Sequence, residues 1–178
     1  MKEHQWPVLH GKSCTLAVLS SQDATAWLAG EDAEIIRWFE FPRPSRMEDV
    51  QKAIVAWRES WLNDGPVRQW GIWFEGHLAG GVELRDRGDR RVNLSYIVFP
   101  QFRGQGLAVD AIRQATTWAL ANLPVDAAVA VVDVENEASR AVAERCGFAA
   151  EGLAERWEYD ESGLSLRYVF PAPEAATL

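Results

Sequence analysis

Apolar positions recur along this chain in two rhythms, and the switches between them mark its elements. Cys14 to Leu19 is β-prone, Ser20 or Ser21 caps a helix through Trp27 and Leu28, and Gly30 is expected to end it. Glu34 to Pro44 is aromatic and proline-rich, and reads as a connection too apolar to be left uncovered. Ser45-x-x-Glu48 has the form of a capping box, after which Val50, Ile54, Trp57 and Trp61 recur at three- and four-residue steps. This second helix extends to about Asn63, where Asp64-Gly65-Pro66 stops it. Period two then takes over. Trp70, Ile72 and Phe74 alternate with Gln69, Gly71 and Trp73, Glu75-Gly76 makes a turn, and Leu78 to Arg85 returns with Val82 and Leu84 on one face. After a turn at Asp86 to Asp89, Val92 to Phe99 completes a three-stranded meander. A helix follows from Leu107 to about Leu120 with Leu107, Ala111, Ala115 and Trp118 as its stripe, and Pro124 lies just beyond it. Ala127 to Val134 is an unbroken apolar run, as expected of a strand covered on both faces. Asn136 caps a short helix that Gly147 ends in the left-handed conformation. Trp157 to Tyr159, a turn at Asp160 to Gly163, and Leu166 to Phe170 read as a closing hairpin.

Between the third strand of the meander and the long helix lies Pro100-Gln101-Phe102-Arg103-Gly104-Gln105-Gly106-Leu107-Ala108. A helix N-terminus carries unpaired N–H groups and a partial positive charge, and a glycine-rich turn feeding one lets a phosphate come close to the main chain. The loop therefore reads as a phosphate cradle. A nucleoside triphosphate is disfavoured, because a P-loop ends in Gly-Lys-Ser/Thr and here Gly106 is followed by Leu107 and Ala108. A dinucleotide fold is disfavoured as well, since its fingerprint wants a small residue where Val109 stands.

The chain has 178 residues, 48% of them hydrophobic, so one domain with a genuine core is expected over residues 1–170, with 171–178 as a loose tail. With 18 basic against 26 acidic residues the net charge is −8, which repels nucleic acid and anionic membranes and attracts cations. No apolar run approaches the length of a membrane span, and a cytoplasmic location is expected. Cys14 and Cys146 lack metal-ligand spacing and are expected to be buried thiols, so no metal is anticipated.

Gln101-x-x-Gly104-x-Gly106 resembles the Q/R-x-x-G-x-G/A signature of the GCN5-related N-acetyltransferases (GNAT), and the order of elements is theirs too. Within that superfamily the chain is most similar to the Rim-type ribosomal-protein-alanine N-acetyltransferases. Tyr96-Ile97-Val98-Phe99-Pro100 running into the glycine loop, Asn136-x-x-Ser139 ahead of Glu144-Arg145-Cys146-Gly147-Phe148, and Glu151-Gly152 carry that likeness. Where the branch often has an acidic residue and a glycine before the tyrosine, this chain has Asn93 and Ser95. The resemblance implies an α/β (α+β) fold with a central, mixed, mostly antiparallel sheet flanked by helices. It also implies transfer of an acetyl group from acetyl-CoA to a primary amine by direct attack on the thioester.

Roles for individual residues follow from the same resemblance. The main chain of Arg103, Gly104, Gln105, Gly106, Leu107 and Ala108 would hold the pyrophosphate of acetyl-CoA, Ile97 and Val98 would meet its acyl end, and the Val98 N–H would polarise the carbonyl. Asn136 would touch the pantetheine arm, and Ser139 would assist the departing thiolate. An acceptor amine is largely protonated near neutral pH and needs a base, for which Glu83, in mid-strand beside the expected cleft, is the candidate. Trp38 and Phe39 fall in the segment that walls the acceptor cleft of the family, and aromatic faces there suit a cationic amine. A protein N-terminus, a polyamine-like or antibiotic amine, and an aminoacyl nucleotide are all consistent with the sequence, as is a homodimer. The reading from a different class is a module that holds coenzyme A, or a partner protein, without turnover.

Overall fold

The structure is a computed structural model and describes residues 6–154 and 164–171. The expected strand between Trp157 and Tyr159, its turn, and the tail from residue 172 lie outside the described residues. Those residues build a single sheet of eight strands. In chain order the elements are β1 (Leu9–His10), β2 (Thr15–Ala17), α1 (Ala24–Gly30), α2 (Ala33–Trp38), α3 (Met47–Leu62), β3 (Val67–Phe74), β4 (His77–Asp86) and β5 (Arg91–Val98). They continue as α4 (Leu107–Asn122), β6 (Ala127–Asp133), α5 (Glu137–Arg145), β7 (Ala149–Leu153) and β8 (Ser165–Phe170). The sheet order is β1-β2-β3-β4-β5-β6-β8-β7, antiparallel except where β5 meets β6.

The meander forms as its alternation dictates. Glu75 and Gly76 both take positive φ, the geometry that matches a two-residue hairpin to strand twist. Along β4, Val82 and Leu84 are fully buried in the core that includes Leu107, Ala111 and Ala115 of α4, so Gly81 and Glu83 face the other side. A second core fills that other side, from Leu19, Trp27 and Ile35 to Val50, Ile54 and Phe99. Trp61, Trp70 and Trp118, from α3, β3 and α4, meet edge to face with centroids 4.8–5.6 Å apart.

Two local expectations are corrected. Glu34 to Trp38 is helix, not loop: Asp32 caps it by accepting the N–H of Ile35 at 2.9 Å. The cap of α3 is not the Ser45–Glu48 box, because Asp49 instead accepts the N–H of Arg46 at 2.8 Å, while Ser45 donates N–H and hydroxyl to Glu31 at 2.7 and 2.6 Å. Gly30 ends α1 as expected, as its last residue, and a Cβ there would come within 2.3 Å of the Phe99 ring, so close packing requires the glycine. Gly147 has φ +89° and ends α5, also as expected.

The short β1–β2 hairpin is pinned to α4 by one carboxylate. Asp110 accepts the N–H groups of Lys12, Ser13 and Cys14 at 3.2, 2.7 and 3.0 Å. Burial works against its ionisation, but those three donations outweigh it and hold the carboxyl below the ordinary range near 3.8. A group with a lowered folded pKa stabilises fully above its unfolded value and loses that contribution as pH falls through the folded one. Asp110→Ala is therefore expected to destabilise by about 1–3 kcal/mol at neutral pH. Parallel denaturant titrations should show the gap between wild type and variant closing only below the unfolded pKa of 3.8. Burial pushes the two thiols up, to about 12 for Cys14 and about 11 for Cys146, so both stay protonated.

Candidate active site

The glycine loop is open where a ligand would have to enter. Gly104 and Gly106 have φ of +75° and +77°, a conformation glycine adopts freely, and a Cβ built on either would meet no atom within 4 Å. Between them and the first turn of α4, the N–H groups of Leu107 and Ala108 have no partner one helical turn back. Arg103 is the exception among the expected donors. Its N–H already reaches the carbonyl of Pro100 at 3.3 Å, and its guanidinium turns away to Asp32 at 2.9 Å and Glu34 at 2.7 Å. A cradle that a side chain would fill, ringed by spare donors, fits the diphosphate of a coenzyme A-type ligand.

Just upstream, the sheet opens. The parallel ladder between β5 and β6 covers only Arg91, Val92 and Asn93 against Ala127, Ala128 and Val129, and then stops. Beyond it lies a cavity of about 590 Å³, walled by Leu94, Ser95 and Tyr96 on one side and Val131, Val132 and Asp133 on the other. Phe99 donates its N–H to Ala79 of β4, and the Ile97 carbonyl faces Gly80 of the same strand. Backbone directions alternate along a strand, so the N–H and C=O of Val98 face the opposite edge, where Arg103 takes the carbonyl at 3.1 Å.

Two further cavities lead into this gap, from opposite sides of the sheet. One, of about 280 Å³, is bounded by Gly104 to Val109 except Gln105, and by Asn136, Ser139 and Val142 of α5, with Ile97, Val98 and Arg103 as further lining. The other, of about 320 Å³, lies over the α1–α3 face between Trp57, Phe39 and Phe41, with Glu31, Asp49 and Glu83 set against Arg85. The side chain of Glu83 is 18% exposed, and its Oε1 accepts two hydrogen bonds from Arg85 at 3.1 and 2.9 Å. Its Oε2 accepts none among the described residues. Arg85 pairs with Glu83 and Arg43 pairs with Asp49 at 2.7 Å from outside the lining, which leaves the charge of Glu31 to attract a cation to the second cavity.

Asn136 and Ser139 stand on the first side. The Asn136 side-chain Oδ1 accepts the Ser139 N–H at 3.0 Å and so caps α5. The Ser139 hydroxyl is 3.0 Å from the Tyr96 phenol, and burial pushes that phenol up despite the opposing hydrogen bond. Trp38 and Phe39 stand at the end of α2, both at the gap, and Phe39 reaches the acidic cavity too. The Arg37 guanidinium covers the Trp38 ring at 4.5 Å and pairs with Glu135 at 3.2 Å across the gap.

A glycine cradle at the start of α4, beside a strand pair that stops pairing, is matched by a family profile. The acetyltransferase (GNAT) domain profile covers residues 14–149. The chain belongs to this GNAT domain family. Among relatives of this GNAT domain, YdaF of Bacillus subtilis, provisionally named a ribosomal N-acetyltransferase, is 30% identical over 65% of this chain and 64% of its own length. Spermidine N(1)-acetyltransferase of Escherichia coli K12 is 28% identical over 67% of this chain and 63% of its own. The chain thus spans less than two thirds of the length of the curated relatives it matches. RimL, a ribosomal L7/L12 α-N-protein acetyltransferase solved with coenzyme A, superposes with a TM-score of 0.81 at 17% identity, over 92% of this chain and 97% of that one. The microcin C7 self-immunity acetyltransferase MccE, solved with acetyl-CoA and AMP, gives 0.78 at 20% identity, over 89% and 92%. At such identities these likenesses establish the GNAT fold. The Rim-type resemblance read in the sequence recurs in the names of these relatives.

The structure of this GNAT domain also brings in residues that sequence reasoning left unassigned. Tyr96 lines all three cavities, and Glu31 and Asp49 join Glu83 around the acidic one. Tyr96 sits in the motif that carries the family likeness, but its partner is 43 positions away, beyond any local spacing. Among the described residues no cluster of three or more His, Cys, Asp or Glu could hold a metal ion, and no helix is long and apolar enough to cross a membrane.

Proposed function

We propose that this protein is an acetyl-CoA-dependent N-acetyltransferase whose acceptor is a cationic primary amine. The observation that carries this reading is the gap between β5 and β6, which joins a glycine-lined cavity on one face to an acidic, aromatic cavity on the other. Bound acetyl-CoA would supply an activated acyl carbonyl and a thiolate leaving group. The N–H groups of Gly104, Gln105, Gly106, Leu107 and Ala108 hold the diphosphate, and Asn136 flanks the pantetheine arm. Val98, with its N–H turned into the gap, polarises the carbonyl oxygen as negative charge builds there, and a preorganised donor of this kind needs no rearrangement during reaction. Glu83 takes a proton from the acceptor ammonium, directly or through water. Ser139 gives a proton to the departing sulfur. Phe39, Phe41 and Trp57 present aromatic faces to the cation, and Glu31, beside the paired Glu83 and Asp49, supplies the attracting charge. The relatives' names fit this class, since spermidine and protein N-termini both present amines.

The test is release of free thiol from acetyl-CoA with a panel of amines: spermidine, an aminoglycoside, and peptides with a free N-terminal serine or alanine. Amine-dependent release with at least one cationic acceptor is expected, and none with any of them would overturn the proposal. In parallel, coenzyme A should raise the melting temperature while NAD and ATP leave it unchanged. At about a hundred times its dissociation constant a ligand adds roughly 2.7 kcal/mol, which a thermal scan resolves readily. Stabilisation by NAD but not by coenzyme A would show that the loop holds a different phosphate ligand.

A further inference from the structure

We propose that Tyr96 is a positioning residue for the acyl-transfer step, acting through the hydroxyl of Ser139. The inference rests on the role given above to Ser139 and extends it to a residue that nothing yet assigns. Tyr96 lies on β5 where the ladder to β6 has already ended, and it lines the gap and both cavities that lead into it. Its phenol oxygen is 3.0 Å from Ser139 Oγ, bridging the strand to the first turn of α5. Ser139 alone would be a poor proton donor, because a serine hydroxyl rotates freely and prefers whichever acceptor lies nearest.

The phenol removes that ambiguity. A phenol is the more acidic of the two hydroxyls and a serine oxygen the better acceptor, so in a pair 3.0 Å apart the phenol enters as the donor. With the phenol hydrogen on one lone pair of Oγ, the serine hydrogen is left to point elsewhere, and the open direction is the gap. As the acceptor nitrogen bonds to the acyl carbon, the C–S bond breaks and its electron pair passes to sulfur. The acceptor nitrogen loses one proton to Glu83 before attack and a second to solvent on becoming an amide, while Ser139 gives its proton to the sulfur and regains one from solvent, so the reaction releases one proton net once Glu83 returns its own to solvent. Tyr96 keeps its own proton. Its contribution is orientation, with a hydrogen bond that also increases the acidity of the serine hydroxyl.

A double-mutant cycle on the full chain separates this from a packing role. Tyr96→Phe removes one oxygen and keeps the ring, and the rise in melting temperature with coenzyme A reports that the variant is folded and binds. Ser139→Ala is expected to lower kcat by about a hundredfold, at the low end for a lost proton donor. Tyr96→Phe is expected to lower kcat by about tenfold with KM for acetyl-CoA unchanged, the loss typical of one hydrogen bond. In the Ser139→Ala background the same tyrosine change should have no further effect, because the group it orients is gone. An equal tenfold loss in both backgrounds would overturn the inference and leave the role of Ser139 standing. Unchanged kcat in Ser139→Ala would overturn that role itself, and the inference with it.

Discussion

Gly104→Val is expected to abolish coenzyme A binding at ordinary ligand concentrations, weakening affinity by at least about a hundredfold, or roughly 2.7 kcal/mol, in a protein that still folds. Two causes act together. A β-branched side chain resists the left-handed φ of +75° seen at this position, and its methyl groups would project into the open space that a phosphate needs. The protein itself has nothing within 4 Å to clash with the new Cβ, so the cost to the fold is confined to the strain at this one φ and the rest of the damage falls on the ligand. Isothermal titration of coenzyme A, alongside a melting scan without ligand, checks both halves. Normal affinity in a folded variant would place the phosphates elsewhere.

A comparable loss, of about a hundredfold in kcat, is expected for Glu83→Gln. Glutamine keeps the shape and the possibility of a hydrogen bond but cannot take up the acceptor's proton. Because Glu83 lies on the α1–α3 face and the glycine cradle lies across the sheet, affinity for coenzyme A and the accompanying rise in melting temperature should not change. Steady-state kinetics at saturating acetyl-CoA with a reactive amine decides the matter. A kcat within twofold of wild type would assign proton removal to water or to another carboxylate of the cavity, such as Glu31 or Asp49.

Local chemistry was legible in the sequence wherever near neighbours along the chain determine the structure. The strand–glycine loop–helix from Ile97 to Ala108, the Glu75-Gly76 hairpin, the Asn136 cap and the left-handed Gly147 all depend on residues a few positions apart, and all appear as read. Elsewhere, long-range partners outbid local signals. Ser45 looks like a helix cap until Glu31, fourteen positions back, claims its hydroxyl. Six residues flanked by prolines and aromatics give too short a period to announce α2, which is held in place by Arg103 across 71 positions. Periodicity placed Glu83 in a strand but could not say that Glu31, from the end of α1, and Asp49, from α3, line the same cavity. The Tyr96–Ser139 contact was hidden for the same reason.

In the proposed reaction the gap in the sheet would separate the two substrates more completely than a single deep pocket. The two outer cavities each have their own wall and their own core behind it, and the lining residues they share are Phe39, Tyr96 and Ile97. One molecule that joins coenzyme A to a cationic amine through a short linker would therefore thread the sheet and be gripped from both faces. Tethering makes the second grip intramolecular, and such linkage raises overall affinity by as much as about 10²–10⁴ over either half. The same partition would let the α3 wall of the acceptor cavity be redrawn, residue by residue, while α2, which also lines the glycine-loop cavity and is tied to Arg103, stays as it is.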